Sequence, residues 1–182
     1  MPRGRQRVKA QATSALNGLL QMLGLPSFRM FQLTLILALA VDRKDVWAQL
    51  PCGLGKTMIF AAIVLLHCHN GDGSIGILIE PLESIIKDAT AEFERLGITV
   101  YVLTSATQSE ICAILKNTHP SEPIIIIGKP KDFVKKTVID AIKSPQLNGT
   151  YTMDNMPQSP ICVVGFDEVH CVVWWGISFL RS

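Results

Sequence analysis

The sequence predicts an α/β domain in which a parallel sheet carries helices on both faces, and three observations predict it. Short apolar runs alternate with longer amphipathic stretches along most of the chain, which is the pattern of strands joined by crossover helices. The runs Ile75–Ile79 and Ile124–Ile127 are apolar without polar alternation, as strands buried on both faces of a parallel sheet are. Gly53-Leu54-Gly55-Lys56-Thr57 then stands between an apolar run and a long apolar helix-like stretch, where a phosphate-holding loop sits in such folds.

The elements follow in order. Residues 1–14 read as a basic, disordered head, because Arg3, Arg5, Arg7 and Lys9 occur there and no Asp or Glu appears before Asp42. A nucleic-acid-touching arm and an organelle transit peptide are the other readings of such a segment. Ala15 to Leu23 has apolar residues at helical spacing and stops at Gly24 and Pro26, so a lead-in helix is expected there. Expected strands are Val46–Leu50, Ile75–Ile79, Thr99–Leu103, Ile124–Ile127 and Ile161–Gly165. The helices expected between them are Lys56–His69, Leu82–Leu96, Ser109–Lys116 and Lys131–Ile142. Ser144 to Pro160, rich in Pro, Asn, Gly and Ser, reads as one long surface loop.

At 182 residues the chain suits a single domain, here 15–182. Hydrophobic residues make up 48% and charged residues 18%, an apolar balance that leaves surface for a partner. The apolar runs Leu33–Val41 and Met58–Leu66 are each about half of the roughly 20 residues that span a bilayer, so no membrane segment is expected. A net charge of +2 is too small to argue for nucleic acid by itself. The five cysteines are scattered without a Cys-x-x-Cys pair. Neither a disulfide framework nor a structural zinc site is expected, and a reducing, intracellular setting fits. His67-Cys68-His69 places its side chains in different directions on a helix and reads as structural, while Thr104-Ser105-Ala106-Thr107 reads as a strand-to-helix turn.

Two constellations carry chemistry. A loop that holds a triphosphate must bring backbone N–H groups up to phosphate oxygens, which small residues in unusual conformations permit. Gly53 and Gly55 supply that, Lys56 can reach the β- and γ-phosphates, and the Thr57 hydroxyl can ligate Mg²⁺. The general pattern wants Gly at position 50, where the chain has Leu. Ile161 to Gly165 is followed by Phe166-Asp167-Glu168-Val169-His170. At the carboxyl edge of a parallel sheet Asp167 and Glu168 can face the phosphate loop, Asp167 holding Mg²⁺ through water and Glu168 polarising the attacking water.

These residues resemble the first RecA-like motor domain of the RecQ-like DNA helicases, members of the DEAD/DEAH-type superfamily 2. Leu50-Pro51-Cys52-Gly53-Leu54-Gly55-Lys56-Thr57 is similar to that superfamily's Pro-Thr-Gly-x-Gly-Lys-Thr/Ser loop, with Cys52 in place of Thr, and this form needs no Gly at position 50. Phe28-Arg29-Met30-Phe31-Gln32 resembles the Phe-Arg-x-x-Gln element ahead of the loop, in which Gln32 would read adenine and Arg29 would lie beside it. Glu80-Pro81-Leu82-Glu83-Ser84 resembles a Ser-Pro-Leu-x-Ser segment that touches the DNA backbone, here through Ser84. Asp167-Glu168-Val169-His170-Cys171-Val172-Val173-Trp174-Trp175-Gly176 is similar to Asp-Glu-Ala-His-Cys followed by Trp-Gly. The resemblance makes His170 a coupling residue and opens an aromatic-rich loop that senses single-stranded DNA, with Trp175 and Phe179 as stacking platforms and Arg181 nearby. The family's His-Asp-Phe-Arg ending reads Ile177-Ser178-Phe179-Leu180-Arg181 here, so two polar coupling residues are replaced.

The resemblance implies ATP and Mg²⁺ as cofactors, single-stranded or forked DNA as partner, and the nucleus, or from its basic N-terminus the mitochondrion, as address. The 182 residues contain neither the family's later Ser-Ala-Thr motif nor its second RecA-like domain with an arginine finger. The expectation is therefore a motor half that hydrolyses ATP weakly and does not unwind DNA alone. The alternative is a non-catalytic remnant that binds nucleic acid or a partner helicase. A complete nucleotide kinase fits the Asp-Glu-Val-His signature poorly.

Overall fold

The runs Ile75–Ile79 and Ile124–Ile127 are apolar throughout and lie buried between two layers of helix. The computed structural model describes residues 2–22, 24, 26–51, 53–70, 74–116, 121–144 and 160–168. Its elements are α1 (Pro2–Met22), α2 (Met30–Ala40), α3 (Lys56–Asn70), β1 (Ile75–Ile79), α4 (Glu83–Arg95), β2 (Thr99–Leu103), α5 (Gln108–Lys116), β3 (Ile124–Gly128), α6 (Pro130–Phe133), α7 (Lys136–Lys143) and β4 (Ile161–Phe166). The strands form one parallel sheet in the order β2-β3-β1-β4. This is the expected α/β class with helices on both faces.

Alternation along β3 shows why the runs are continuous. Ile124 and Ile126 enter a core with Ile111 and Leu115 of α5, Phe133 of α6 and Val138 of α7, whereas Ile125 and Ile127 enter a second core with Phe60 and Val64 of α3 and Ile86 and Phe93 of α4. Both faces of the strand are buried, so both sets of side chains must be apolar. Glycines set how closely α3 lies on the sheet. A Cβ at Gly76 would stand 2.7 Å from Val64 Cγ2, and one at Gly165 would stand 2.8 Å from Phe60 Cε2. A third core joins α1 and α2 to the outer side of α3 through Leu16, Ile36, Ile59 and Ile63.

Four expectations are corrected. Val46–Leu50 is not a strand: residues 43–51 carry no ladder. A strand exists through its partners, and this run lies along the cavity beside β4 without pairing to it, so apolar content alone did not make it one. The expected basic head is helical, since α1 begins at Pro2. Proline suits a first helical turn, the following Arg, Gln, Lys and Ala residues favour helix, and Ala12, Leu16 and Leu20 form a buried stripe at four-residue spacing. Lys9 Nζ also bonds Asp42 Oδ2 at 2.8 Å. The apolar run at Leu33–Val41 is largely helix α2, not foreseen as an element. The helix expected over Lys131–Ile142 is broken into α6 and α7 because Lys135 takes an extended backbone, φ −62° and ψ 131°, with its Nζ on Asp132 Oδ1 at 2.9 Å and Ser105 Oγ at 3.1 Å.

Thr104 to Thr107 forms the expected turn, tied by Thr107 Oγ1 donating to the Val102 carbonyl at 2.7 Å. Among the described residues no helix is long and apolar enough to cross a membrane, and no group of three His, Cys, Asp or Glu side chains could hold a metal by itself.

Candidate functional site

The phosphate loop and the acidic pair meet where the sheet's carboxyl edge faces the start of α3. Gly53 and Gly55 have φ of 78° and 76°, the left-handed region that glycine enters without steric cost. Ile59 N donates to the Gly55 carbonyl at 3.2 Å, so Gly55 heads α3 and the helix's positive end opens at the loop. Leu54 is gripped from behind: its carbonyl accepts from Gln32 Nε2 at 3.0 Å, while Gln32 Oε1 accepts from Arg29 N at 2.9 Å. Gln32 is buried and thus ties the start of α2 to the loop with both ends of its carboxamide, a role its sequence position did not reveal. Arg29 is exposed at the head of α2.

Lys56 and Asp167, 111 residues apart, are joined by a 2.9 Å hydrogen bond from Nζ to Oδ1. Lys56 Nζ also lies 3.5 Å from Glu168 Oε1. Burial disfavours the ammonium, yet the bond and charge of Asp167, reinforced by Glu168, hold the Lys56 pKa above its ordinary value. Asp167 Oδ1 accepts a second bond, from Glu168 N at 2.8 Å. Glu168 has φ 48°, uncommon for a residue other than glycine and a form of strain concentrated at functional sites.

These groups line a cavity of about 660 Å³ together with Thr57, Glu80, Trp47 and Phe60, a size suited to a nucleotide. Glu80 follows β1 as Asp167 follows β4. It is buried, with 1% of its surface exposed. Its Oε1 accepts from Leu82 N at 3.1 Å, and its Oε2 has no partner among the described residues. Burial above all, with the charges of Asp167 and Glu168, pushes its pKa up to about 7 against the opposing Leu82 bond and Lys56. Sequence reasoning gave Glu80 no role, although a carboxylate directly after an all-apolar strand was the same signal that drew attention to Asp167.

Of the other expected residues, Thr57 faces the cavity and Ser84 is exposed in the first turn of α4. Cys52, His170, Trp175, Phe179 and Arg181 lie outside the described residues.

A lysine at a helix start beside a glycine loop, bonded to a carboxylate at a strand end on a parallel sheet covered by helices, is the arrangement of a motor type of domain. The family model for the DEAD/DEAH box helicase matches residues 29–179, and the chain belongs to that family. It is similar to "ATP-dependent DNA helicase Q1" of Rattus norvegicus, at 26% identity over 85% of this chain and 23% of that protein. It is also similar to "ATP-dependent DNA helicase RecQ" of Haemophilus influenzae, at 25% identity over 91% of this chain and 24% of that one. A third relative, "Probable ATP-dependent DNA helicase RecS" of Bacillus subtilis, is 24% identical over 88% and 28%. The chain spans about a quarter of the length of these curated relatives.

Proposed function

We propose that this chain is the ATP-binding first motor domain of a RecQ-like 3′-to-5′ DNA helicase. The observation that carries the reading is the 2.9 Å pairing of Lys56 with Asp167 at the mouth of the glycine loop, inside a chain that matches the DEAD/DEAH box helicase model. Lys56 is held ready, charged and at the cavity wall. An arriving triphosphate exchanges the carboxylates for its own β- and γ-oxygens, while the loop N–H groups and the α3 dipole take up further negative charge. Gly53, Leu54 and Gly55, with Cys52 next in sequence, are the proposed cradle. Gln32, with Arg29 at the same helix start, reads the adenine edge by releasing its bond to Leu54.

The donor set suits Mg²⁺, because Thr57 offers a hydroxyl and Asp167 a carboxylate to a cation that prefers oxygen. Mg²⁺ would neutralise charge on the phosphates. Glu168 orients and polarises the attacking water, and His170 links that event to the DNA-facing residues Ser84, Trp175, Phe179 and Arg181. The reading expects this site to bind ATP-Mg²⁺ and to hydrolyse it. In related motors an arginine supplied across the cleft adds on the order of 10³-fold or more to the rate. The reading places the protein with intracellular DNA, in the nucleus or the mitochondrion.

A second reading, a non-catalytic remnant that binds nucleic acid or a partner helicase, draws on the exposed apolar side chains of Trp47, Val164 and Phe166 at 79%, 50% and 57%. ATP hydrolysis with and without single-stranded DNA separates the two. The motor reading expects turnover that DNA stimulates and that Lys56→Ala lowers at least tenfold. Wild-type turnover no higher than that of Lys56→Ala, with DNA binding retained, favours the remnant.

A further inference from the structure

β1 and β4 run in parallel with Gly76 opposite Val163, Leu78 opposite Gly165 and Ile79 opposite Phe166. The ladder continues one step, since Asp167 N donates to the Ile79 carbonyl at 3.0 Å. Glu80 and Asp167 are therefore register neighbours on strands about 4.8 Å apart. By alternation both share the face of Gly76, Leu78 and Gly165, against which Phe60 and Val64 of α3 pack. Lys56, the first residue of α3, lines one cavity with both residues.

Glu80 stands apart from the two carboxylates that Lys56 reaches. One ammonium, Lys56, serves the carboxylates of Asp167 and Glu168 directly, while Glu80 Oε2 is buried without a partner among the described residues. A buried carboxylate oxygen left without a donor or cation is costly. A triphosphate entering the cavity adds only more negative charge. The position matters for a further reason: the segment that resembles Ser-Pro-Leu places Glu80 where that pattern has a small hydroxyl residue.

The geometry points to a two-carboxylate cation seat, in which Glu80 and Asp167 together ligate one divalent cation and hold it before nucleotide arrives. This rests on reading the cavity as a nucleotide–Mg²⁺ site and adds a ligand to it. Two carboxylates leave the remaining positions of a six-coordinate cation to water and later to phosphate oxygens. Lys56 competes for Asp167 Oδ1 until the phosphates draw it away.

The test is a Mn²⁺ titration of the whole chain without nucleotide, with free Mn²⁺ read by electron paramagnetic resonance and folding checked by circular dichroism. Wild type is expected to bind one Mn²⁺. Glu80→Gln and the smaller Glu80→Ser are each expected to weaken that binding at least tenfold, and Lys56→Met to tighten it by removing the competing ammonium. No Mn²⁺ binding by wild type, or equal binding by the folded Glu80 variants, overturns the proposal and leaves Glu80 as a protonated acid beside Asp167. Binding of a fluorescent ATP analogue is measured in parallel. A chain that takes the analogue but not free Mn²⁺ refutes the cation seat alone, and one that holds Mn²⁺ but not the analogue refutes the nucleotide reading alone.

Discussion

Two residues of the cavity show how backbone and burial set its chemistry. Gly55 needs its φ of 76° to turn the loop into α3, and a Cβ there would stand 2.7 Å from Gln32 Nε2. Gly55→Ala should therefore weaken binding of an ATP analogue about tenfold and destabilise the chain by about 1–2 kcal/mol, read by fluorescence titration and urea denaturation. Glu80, whose pKa rises to about 7 through burial, makes stability depend on pH. A carboxyl raised in the fold favours the folded state fully below its ordinary value near 4.5, and that contribution is lost as pH climbs through about 7. In chelator, wild type should lose on the order of 1–2 kcal/mol between pH 5 and pH 8, the open cavity moderating the effect. Glu80→Gln should flatten that fall, and a urea midpoint that declines as steeply in the variant would show that the loss comes from elsewhere.

Among the elements, α3 does most to assemble the site, since its first residue is the phosphate-reaching lysine and its body packs on β1 and β4 through glycine contacts. Gly76→Ala would push a methyl against Val64 Cγ2 at 2.7 Å and Phe60 Cε1 at 2.9 Å. Lifting α3 should cost about 1–3 kcal/mol and move Lys56 away from Asp167, so calorimetric stability and nucleotide affinity should fall together. The same element explains why the site was partly legible in sequence. Lys56, Thr57, Asp167 and Glu168 were found from the local signs of a glycine turn before a helix and of acids after a strand. Glu80 and the grip of Gln32 on Leu54 were not, because both depend on neighbours far along the chain.

For the molecule as a whole, α1 and α2 extend the core outward from α3 as one continuous packing. Leu16 is fully buried among residues of α2 and α3. Leu16→Ala should lower stability by about 2–5 kcal/mol, and it should shift a single cooperative transition. An early separate melting step of α1, seen by circular dichroism, would show that this layer folds independently.

What the sequence determined by itself is the set of local choices: β1, β2 and β3 begin and end within a residue of the apolar runs, and the loop and acidic pair sit at their ends. Periodicity and turn chemistry act over a few residues, so they can be read in order along the chain. Only the tertiary structure decided which strands are neighbours, that Val46–Leu50 lies along the cavity without a partner strand, and that Glu80 stands beside Asp167. Those outcomes depend on hydrogen-bond ladders and burial between segments distant in sequence, and a short apolar run carries no record of the strand it will or will not meet.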